Sequence, residues 1–384
     1  MLLYLGDALN FFVFILAIRK HDRFIFLNKT VLWMFLFILI GSLSSLFNFM
    51  SIGLFIWGLK NNLRFFTFFY SCIIFLKPQD IKIVDDAIKL IFWISVPLCT
   101  VEKFCVTYPP WTIVGDMIGG IFWNFSGSNL PLNVFLIVYL TKVSCDYFAK
   151  KTSTIYFSLV AVSSLYMASL AELKVFFVEF AIIIFLTAIW SKVSWKTILI
   201  FICMGLFANV FITLFIHMNG TWSAYADIFT IEGFLEYASR DSGYNGTGDL
   251  NRLTGIATVS ADIFNGNIFK NLFGIGLGNA EYTNFFTSNF FSNNIGLNYQ
   301  WFHDIWLFIE TGMVGLISFT MIFITAYKDA KSKYIDKITT NYIRVNIVLM
   351  IVLFIYNISL RSETGGFLLY LILAIPYIYR RNID

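Results

Sequence analysis

The sequence has 384 residues, of which 58% are hydrophobic and only 13% charged, with a formal net charge of +4. Soluble domains carry roughly 25% charged residues, and this much apolar surface requires lipid rather than water as its solvent. The composition excludes an ordinary soluble enzyme. The small positive balance is spread between hydrophobic segments, which argues against a nucleic acid as partner.

Eleven hydrophobic segments predict an all-α polytopic integral membrane protein with about eleven transmembrane helices, within a range of ten to twelve. They lie at residues 1–18, 31–50, 63–76, 86–101, 130–148, 153–169, 174–190, 197–216, 302–326, 341–359 and 365–379. The predicted organisation is an N-terminal bundle of about eight spans (1–216), one large loop (217–301) and about three C-terminal spans (302–384). Cleavable signal peptides begin with Lys or Arg before their apolar stretch, and no Lys or Arg precedes the first segment. We therefore expect this segment to remain as a membrane span.

The distribution of Lys and Arg predicts the orientation. With the N-terminus outside, the inner connections carry clearly more Lys and Arg than the outer ones, as the positive-inside rule requires. This places the C-terminus in the cytoplasm and the 217–301 loop outside, on the periplasmic side of a bacterial inner membrane. A second outer segment, near 102–129, contains the apolar stretch Trp111–Trp123, which we expect in the interface or re-entering the membrane.

One histidine stands out as a candidate catalytic residue. His303 opens the ninth segment directly after the large loop, is followed by Asp304, and shares a helix face with Glu310 two turns deeper. A histidine at a membrane boundary is commonly an interfacial polar residue. Its position after the loop and its acidic neighbour favour a second interpretation, that of a general base.

Three cations on the outer side are candidates to hold a lipid diphosphate. Arg240 and Arg252 lie in a glycine-rich part of the loop, and Lys174 lies at the outer end of the seventh segment. The planar fork of arginine suits phosphate oxygens. The alternatives are solvated surface charge for the two arginines and, for Lys174, a snorkelling anchor paired with Glu172.

The large loop also contains a glycine run and many aromatic residues. Phe273–Asn279 lacks the spacing and context of a nucleotide loop and predicts a tight turn with close backbone approach. Some aromatic residues are expected to pack the loop and others to stack on sugars, with Tyr244, Tyr299 and Trp301 as candidate glycan contacts. No CxxC or HExxH spacing occurs, so neither a metal nor another cofactor is expected.

The order of these motifs resembles the bacterial O-antigen polymerase and O-antigen ligase superfamily. The resemblance covers residues 252–316, from Arg252-Leu253 through the glycine run and His303-Asp-Ile-Trp-Leu to Gly312-Met-Val-Gly315. It implies an enzyme without cofactor that acts on undecaprenyl-diphosphate-linked oligosaccharide donors and acceptors within the membrane lipid. It also implies His303 as the base and Arg252 as a diphosphate ligand. Lys174 stands where ligases carry an arginine, and Asp304 replaces their asparagine.

A mechanism follows from the chemistry of the donor. The diphosphate is a good leaving group, so the protein has to stabilise departing negative charge and deprotonate the incoming sugar hydroxyl. Glu281, Asp241 and Asp249 remain alternative bases. We favour a polymerase that moves the growing chain onto a new repeat unit, with room for a chain-length regulator as a protein partner. The alternatives are a ligase that transfers the glycan to lipid A core and a flippase for lipid-linked oligosaccharides.

Overall fold

A computed structural model describes residues 2–20, 28–191, 240, 248–283 and 286–381. The protein is all-helical over these residues, which contain no strand; Tyr282 and Thr287 form an isolated antiparallel bridge. The predicted span 197–216 and the loop residues 217–239 and 241–247 lie outside the described residues.

Ten long helices coincide with the predicted hydrophobic segments other than 197–216. They are α1 (Leu2–Arg19), α2 (Lys29–Phe47), α3 (Ile52–Phe75), α4 (Pro78–Phe104), α5 (Asn129–Phe148), α6 (Thr154–Leu170), α7 (Lys174–Trp190), α8 (His303–Asp329), α9 (Lys337–Tyr356) and α10 (Glu363–Arg381).

Two helices extend well beyond their predicted segments. α3 begins at Ile52 rather than near residue 63, and α4 spans 78–104 rather than 86–101. The sequence prediction assigned charged residues to connections, but Lys60 and Arg64 lie inside α3. They are accommodated there because the Lys60 Nζ lies 2.7 Å from the Asp7 carboxylate of α1, and Arg64 lies 2.8 Å from the carboxylate of Glu363.

Polar caps set where several helices begin. The side chains of Asn28, Ser51, Ser153 and Asp336 accept hydrogen bonds from backbone N–H groups in the first turns of α2, α3, α6 and α9. Such caps satisfy donors that a helix start leaves without partners. The bounds of these helices therefore follow from local polar residues as well as from hydrophobicity.

Helices α5 and α10 form the centre of the bundle and are buried on most of their faces. α8 packs along α2 and α9, α10 packs against α3, and α5 contacts α7 and α9. A buried hydroxyl cluster joins three of these helices, because the Thr30 hydroxyl lies 2.7 Å from that of Thr325 and 2.6 Å from that of Tyr377.

The helices form a membrane-embedded protein. Three of them among the described residues, α2, α8 and α9, are long and apolar enough to cross a membrane, and α6 is a shorter apolar helix. Large apolar side chains such as Phe11, Phe35 and Leu90 point outward, more than half exposed. A soluble monomer rarely presents so much contiguous apolar surface. The count of eleven spans stays a prediction.

Helix α8 is broken at Gly312, whose φ of 64° and ψ of −167° are not helical. Sixteen residues of straight helix would separate His303 from Phe319 by about 24 Å. Their ring centroids are instead 5.2 Å apart, so the first part of α8 folds back against the second. We call residues 303–311 the half-helix. The single uninterrupted span predicted at 302–326 is corrected accordingly, because only glycine adopts this backbone conformation readily.

The described part of the large loop packs around the half-helix. Loop and half-helix together form a second hydrophobic core of eleven buried residues, and the short helices Gly255–Thr258 and Asn289–Asn293 pack against it through Ile256, Phe290 and Phe291. A third short helix, Ile268–Phe273, packs against α8. That core includes Leu250, Val259, Phe264, Ile305 and Phe308.

The glycine run Phe273–Asn279 forms the tight turn that the sequence predicts. At Gly276 the φ is 104°, and a β-carbon would lie 2.8 Å from the Cα of Ser45 in α2. The turn thus packs between α2, α3 and the half-helix, and its glycines lie close to the backbone of Ser45, Leu54 and Glu310.

Candidate functional site

Two arginines from other parts of the chain lie against aromatic rings at the start of the half-helix. The guanidinium of Arg252 lies over the rings of Phe302 and Tyr356, 5.4 and 4.2 Å from their centroids, and its Nε donates to the Tyr356 carbonyl at 3.0 Å. The guanidinium of Arg361 lies 3.8 Å from the centroid of the Trp306 ring. Phe302 and Trp306 are one helical turn apart, a rise of about 6 Å. Two cations from distant parts of the chain therefore lie against rings that are one helical turn apart.

Two more cations extend this pair into a row. Lys174, the first residue of α7, lies within electrostatic range of Arg252. At the other end, the Nη2 of Arg64 donates to the carbonyl of Arg361 at 2.8 Å. We call Lys174, Arg252, Arg361 and Arg64 the cation row. The sequence identified its first two members and missed the others, although both carry charge on the side predicted to face outward.

Carboxylates neutralise the end of the row that contains Arg361 and Arg64. Glu281 forms an ion pair with Arg361, and both side chains are almost fully buried, at 3% and 7% exposure. Asn61 donates to the same Glu281 oxygen at 3.0 Å. Glu363 lies 2.8 Å from Arg64. The positive charge at this end is therefore largely balanced by carboxylates of the protein itself.

Two buried carboxyl groups also accompany Lys174. Glu172 lies 3.7 Å from the ammonium of Lys103, and Asp116 accepts a hydrogen bond from Asn129 at 3.1 Å. Burial raises the pKa of both carboxyl groups. Nearby Lys103 and Lys174 partly oppose this shift at Glu172, and Asn129 and Lys174 partly oppose it at Asp116. Burial therefore disfavours the charged form of both carboxyl groups beside Lys174.

The second outer segment folds against the Lys174 end of the row, and its position relative to the membrane interface stays a prediction. Glu102, fully buried, accepts backbone hydrogen bonds from Gly119, Gly120 and Asn124 at 2.7–3.0 Å. The stretch 111–123 forms short helical turns at 114–117 and 120–122, with Trp111 exposed.

His303 lies at the start of the half-helix in an aromatic enclosure. Its ring is 5.2 Å from those of both Phe319 and Phe354, and only 3% of the residue is exposed. Within the described part of the chain, its Nδ1 has no hydrogen-bond partner, and neither has the Oδ1 of the adjacent buried Asp304. Glu310 accepts from the backbone N–H groups of Gly278 and Ala280, which ties the half-helix to the glycine turn.

The residues predicted as glycan contacts or alternative bases differ in how exposed they are. Tyr299 is fully buried and donates to the Ala280 carbonyl at 2.6 Å, so its ring presents no face to a ligand. Trp301 is 47% exposed. Asp249 is buried, at 2% exposure. Tyr244 and Asp241 lie outside the described residues. Arg240 is exposed, and its carbonyl accepts from the Thr254 hydroxyl at 3.0 Å.

No protein-family model, curated protein or solved structure matches this chain. Among residues 2–20, 28–191, 240, 248–283 and 286–381, no group of three or more His, Cys, Asp or Glu side chains could hold a metal ion. The function therefore has to be inferred from the residues and their geometry.

Proposed function

We propose that this protein is a membrane-embedded glycosyltransferase that polymerises lipid-diphosphate-linked oligosaccharide repeat units on the extracytoplasmic side. The observation that carries the proposal is that Lys174 and Arg252 lie within electrostatic range of each other. These residues come from a helix start and a loop about eighty positions apart, and together they concentrate positive charge beside apolar helices. A lipid diphosphate combines an apolar chain with two phosphates and matches that arrangement.

The chemistry needs only charge stabilisation and one proton transfer. The bond between the anomeric carbon of the donor chain and the diphosphate oxygen breaks, and a hydroxyl oxygen of the acceptor repeat unit bonds to that carbon. The electron pair leaves on the lipid diphosphate, where Arg252 and Lys174 stabilise it. The hydroxyl proton passes to a base. Direct attack would invert the anomeric configuration.

His303 is the base that we favour. Its neighbour in the chain, Phe302, contacts the guanidinium of Arg252, so the imidazole lies close to the cation row. Its Nδ1 has no hydrogen-bond partner among the described residues, which leaves that nitrogen for a substrate hydroxyl. Access requires the half-helix to move from Phe319 and Phe354, and the break at Gly312 supplies a hinge for that motion. Glu281 is less suited, because Arg361 and Asn61 already hold its carboxylate.

The test is elongation by the purified protein in liposomes. The substrate is the undecaprenyl-diphosphate-linked repeat unit extracted from the source cells, and a gel resolves the chain lengths. Wild type is expected to give a ladder, and Arg252→Ala to lower kcat/KM about 10- to 100-fold, the range for losing a charged hydrogen bond to phosphate. Lys174→Arg should retain activity, and His303→Ala should abolish the ladder.

Arg19→Ala is the matched control, since Arg19 is an exposed arginine at the other end of the helices and should leave elongation unchanged. A folded wild-type protein that gives no ladder would contradict the polymerase. Transfer only when lipid A core is supplied would identify a ligase instead. A ladder from His303→Ala would remove His303 as the base and direct the search to Asp304 and Glu281.

A second candidate function, a flippase for lipid-linked oligosaccharides, is favoured by the broken helix and the buried acids. Discontinuous helices and charges inside a bundle are typical of transporters. Glu179 and Glu310 are both fully buried, and α8 is interrupted at Gly312. Liposomes that carry a fluorescent lipid-linked repeat unit would separate the two functions. Movement between leaflets without elongation would favour the flippase.

A further inference from the structure

A cavity of about 840 Å³ lies beside the glycine turn, away from the Lys174–Arg252 pair. Its wall combines the turn between α2 and α3 with loop residues 262–294, and small-ligand sites commonly occupy about 300–1,000 Å³. Asparagine is the most frequent residue in this wall, which contains Asn48, Asn279, Asn289, Asn293 and Asn294. The volume and the amides together are suited to a short oligosaccharide.

Three of these side-chain amides are held by hydrogen bonds from their NH₂ groups, which leaves their Oδ1 atoms as unused acceptors within the described part of the chain. The side-chain NH₂ groups of Asn48, Asn279 and Asn294 donate to the carbonyls of Ser44, Ile275 and Phe290, each at 2.8 Å. Each carbonyl is four residues earlier in the chain, so the backbone fixes the amide plane. The Oδ1 atoms accept no hydrogen bond within the described residues and are available to ligand hydroxyl groups.

The charge in the wall favours a neutral ligand over an anion. Asp262 and Lys270 are the charged residues that line the cavity, one of each sign. An anion site would concentrate positive charge, as the Lys174–Arg252 pair does. A carboxylate, an ammonium and several amides are instead the groups that hydrogen-bond a polyhydroxyl ligand.

Phe49, which lines this wall, has a backbone conformation that residues other than glycine rarely adopt. Phe49 follows the C-terminus of α2 and has a φ of 47°, in the position where helices most often carry glycine. The Phe49 N–H donates to Leu46 and the Met50 N–H to Ser45, which completes that helix-ending motif. The side chain of Phe49 is 96% exposed, so packing does not explain it. A sugar stacked on the ring would give the residue a function.

We propose that this cavity is a subsite for the neutral sugars of the glycan, with Phe49 as a stacking platform and the asparagine Oδ1 atoms as hydroxyl acceptors. The proposal rests on the glycosyltransferase function above, because it assigns the saccharide portion of the same substrate. Asn279 lines the cavity and Glu281 pairs with Arg361, so two residues of chain, at most about 7 Å, connect the subsite with the cation row.

The test measures binding of the saccharide in the absence of the diphosphate. The probe is the pool of free oligosaccharides released by mild acid from the lipid-diphosphate carriers of the source cells, and calorimetry measures its binding to the full protein in detergent. Phe49→Gly is expected to weaken binding about 3- to 10-fold, the range for one aromatic contact. The same change should leave the unfolding temperature equal or higher, because glycine removes the backbone strain. Asn293→Ala, at an exposed position in the wall, should also weaken binding.

Trp111→Ser is the control, since Trp111 is an exposed aromatic outside the cavity and should leave glycan binding unchanged. Folded wild type that does not bind the pool, or Phe49→Gly that binds it equally well, would overturn the subsite. Arg252→Ala should still bind the free oligosaccharides. Loss of elongation with retained binding would therefore locate the defect at the cation row, whereas loss of binding would locate it at the subsite.

Discussion

The ion pair between Glu281 and Arg361 makes the strongest prediction about stability. Both side chains are more than nine-tenths buried, and the pair joins the glycine turn to the connection between α9 and α10. Glu281→Ala leaves the guanidinium of Arg361 buried without its counter-charge. Breaking a buried pair on one side costs about 3–5 kcal/mol, which is a large part of the stability of a typical domain.

The assay is unfolding in mixed micelles of mild detergent and SDS, followed by tryptophan fluorescence. Glu281→Ala is expected to lower the free energy of unfolding by about 3–5 kcal/mol. The double variant Glu281→Ala/Arg361→Met should recover most of that loss, because it removes the uncompensated charge and keeps an apolar side chain over Trp306. Non-additivity of this kind is what residues in direct contact show.

A matched pair in the same network provides the control. Arg64 and Glu363 have the same charges 2.8 Å apart, but the Glu363 side chain is 38% exposed. Glu363→Ala should therefore cost no more than about 1 kcal/mol. A loss below about 1 kcal/mol for Glu281→Ala, or a double variant that is less stable than the single one, would refute the inference that burial makes this pair critical.

Two further predictions concern the hinge and the pH dependence. Gly312→Ala is expected to lower the free energy of unfolding by about 1–3 kcal/mol because of its backbone conformation, and the clash of the added β-carbon with the backbone of Leu272 should add to that loss. The control is Gly296→Ala, which places its β-carbon in open space and should be nearly neutral. Equal unfolding curves for the two variants would argue against the break in α8. Burial raises the pKa of Glu172, so this carboxyl gains its proton at a higher pH than an exposed one, and both folding and anion binding beside Lys174 should strengthen as the pH falls toward that pKa. KM for the lipid-diphosphate substrate, a diester without an ionisation of its own near neutral pH, should fall in wild type as the pH falls toward the raised pKa of Glu172, and should fall less in Glu172→Gln. Identical profiles would remove Glu172 as the cause.

The positions of the helices and the membrane environment could be predicted from the sequence, because both depend on local runs of apolar residues. The prediction was less accurate at α3 and α4. There the charged residues Lys60 and Arg64 suggested connections, whereas Asp7 and Glu363 supply counter-charges from elsewhere in the chain. The glycine run was predicted as a tight turn because three glycines at alternate positions require close backbone approach on one side.

The candidate site could be predicted only in part. Lys174 and Arg252 were recognised because cations are scarce on the predicted outer side. The pairing of Arg361 with Glu281 joins residues eighty positions apart, and Arg64 bonds to Arg361 across 297 positions. No local pattern encodes such contacts, because packing of the helices alone brings the residues together.

The local sequence determined where helices form, which residues cap them, and that apolar surface has to face lipid. The tertiary structure alone decided that α8 folds back at Gly312, that Phe319 and Phe354 enclose His303, and that the asparagines of two distant segments share one cavity. The physical reason is that hydrophobicity, capping and turn preference act within a few residues of chain. Enclosure of a side chain and the alignment of charges depend on which distant surfaces come to be packed against one another.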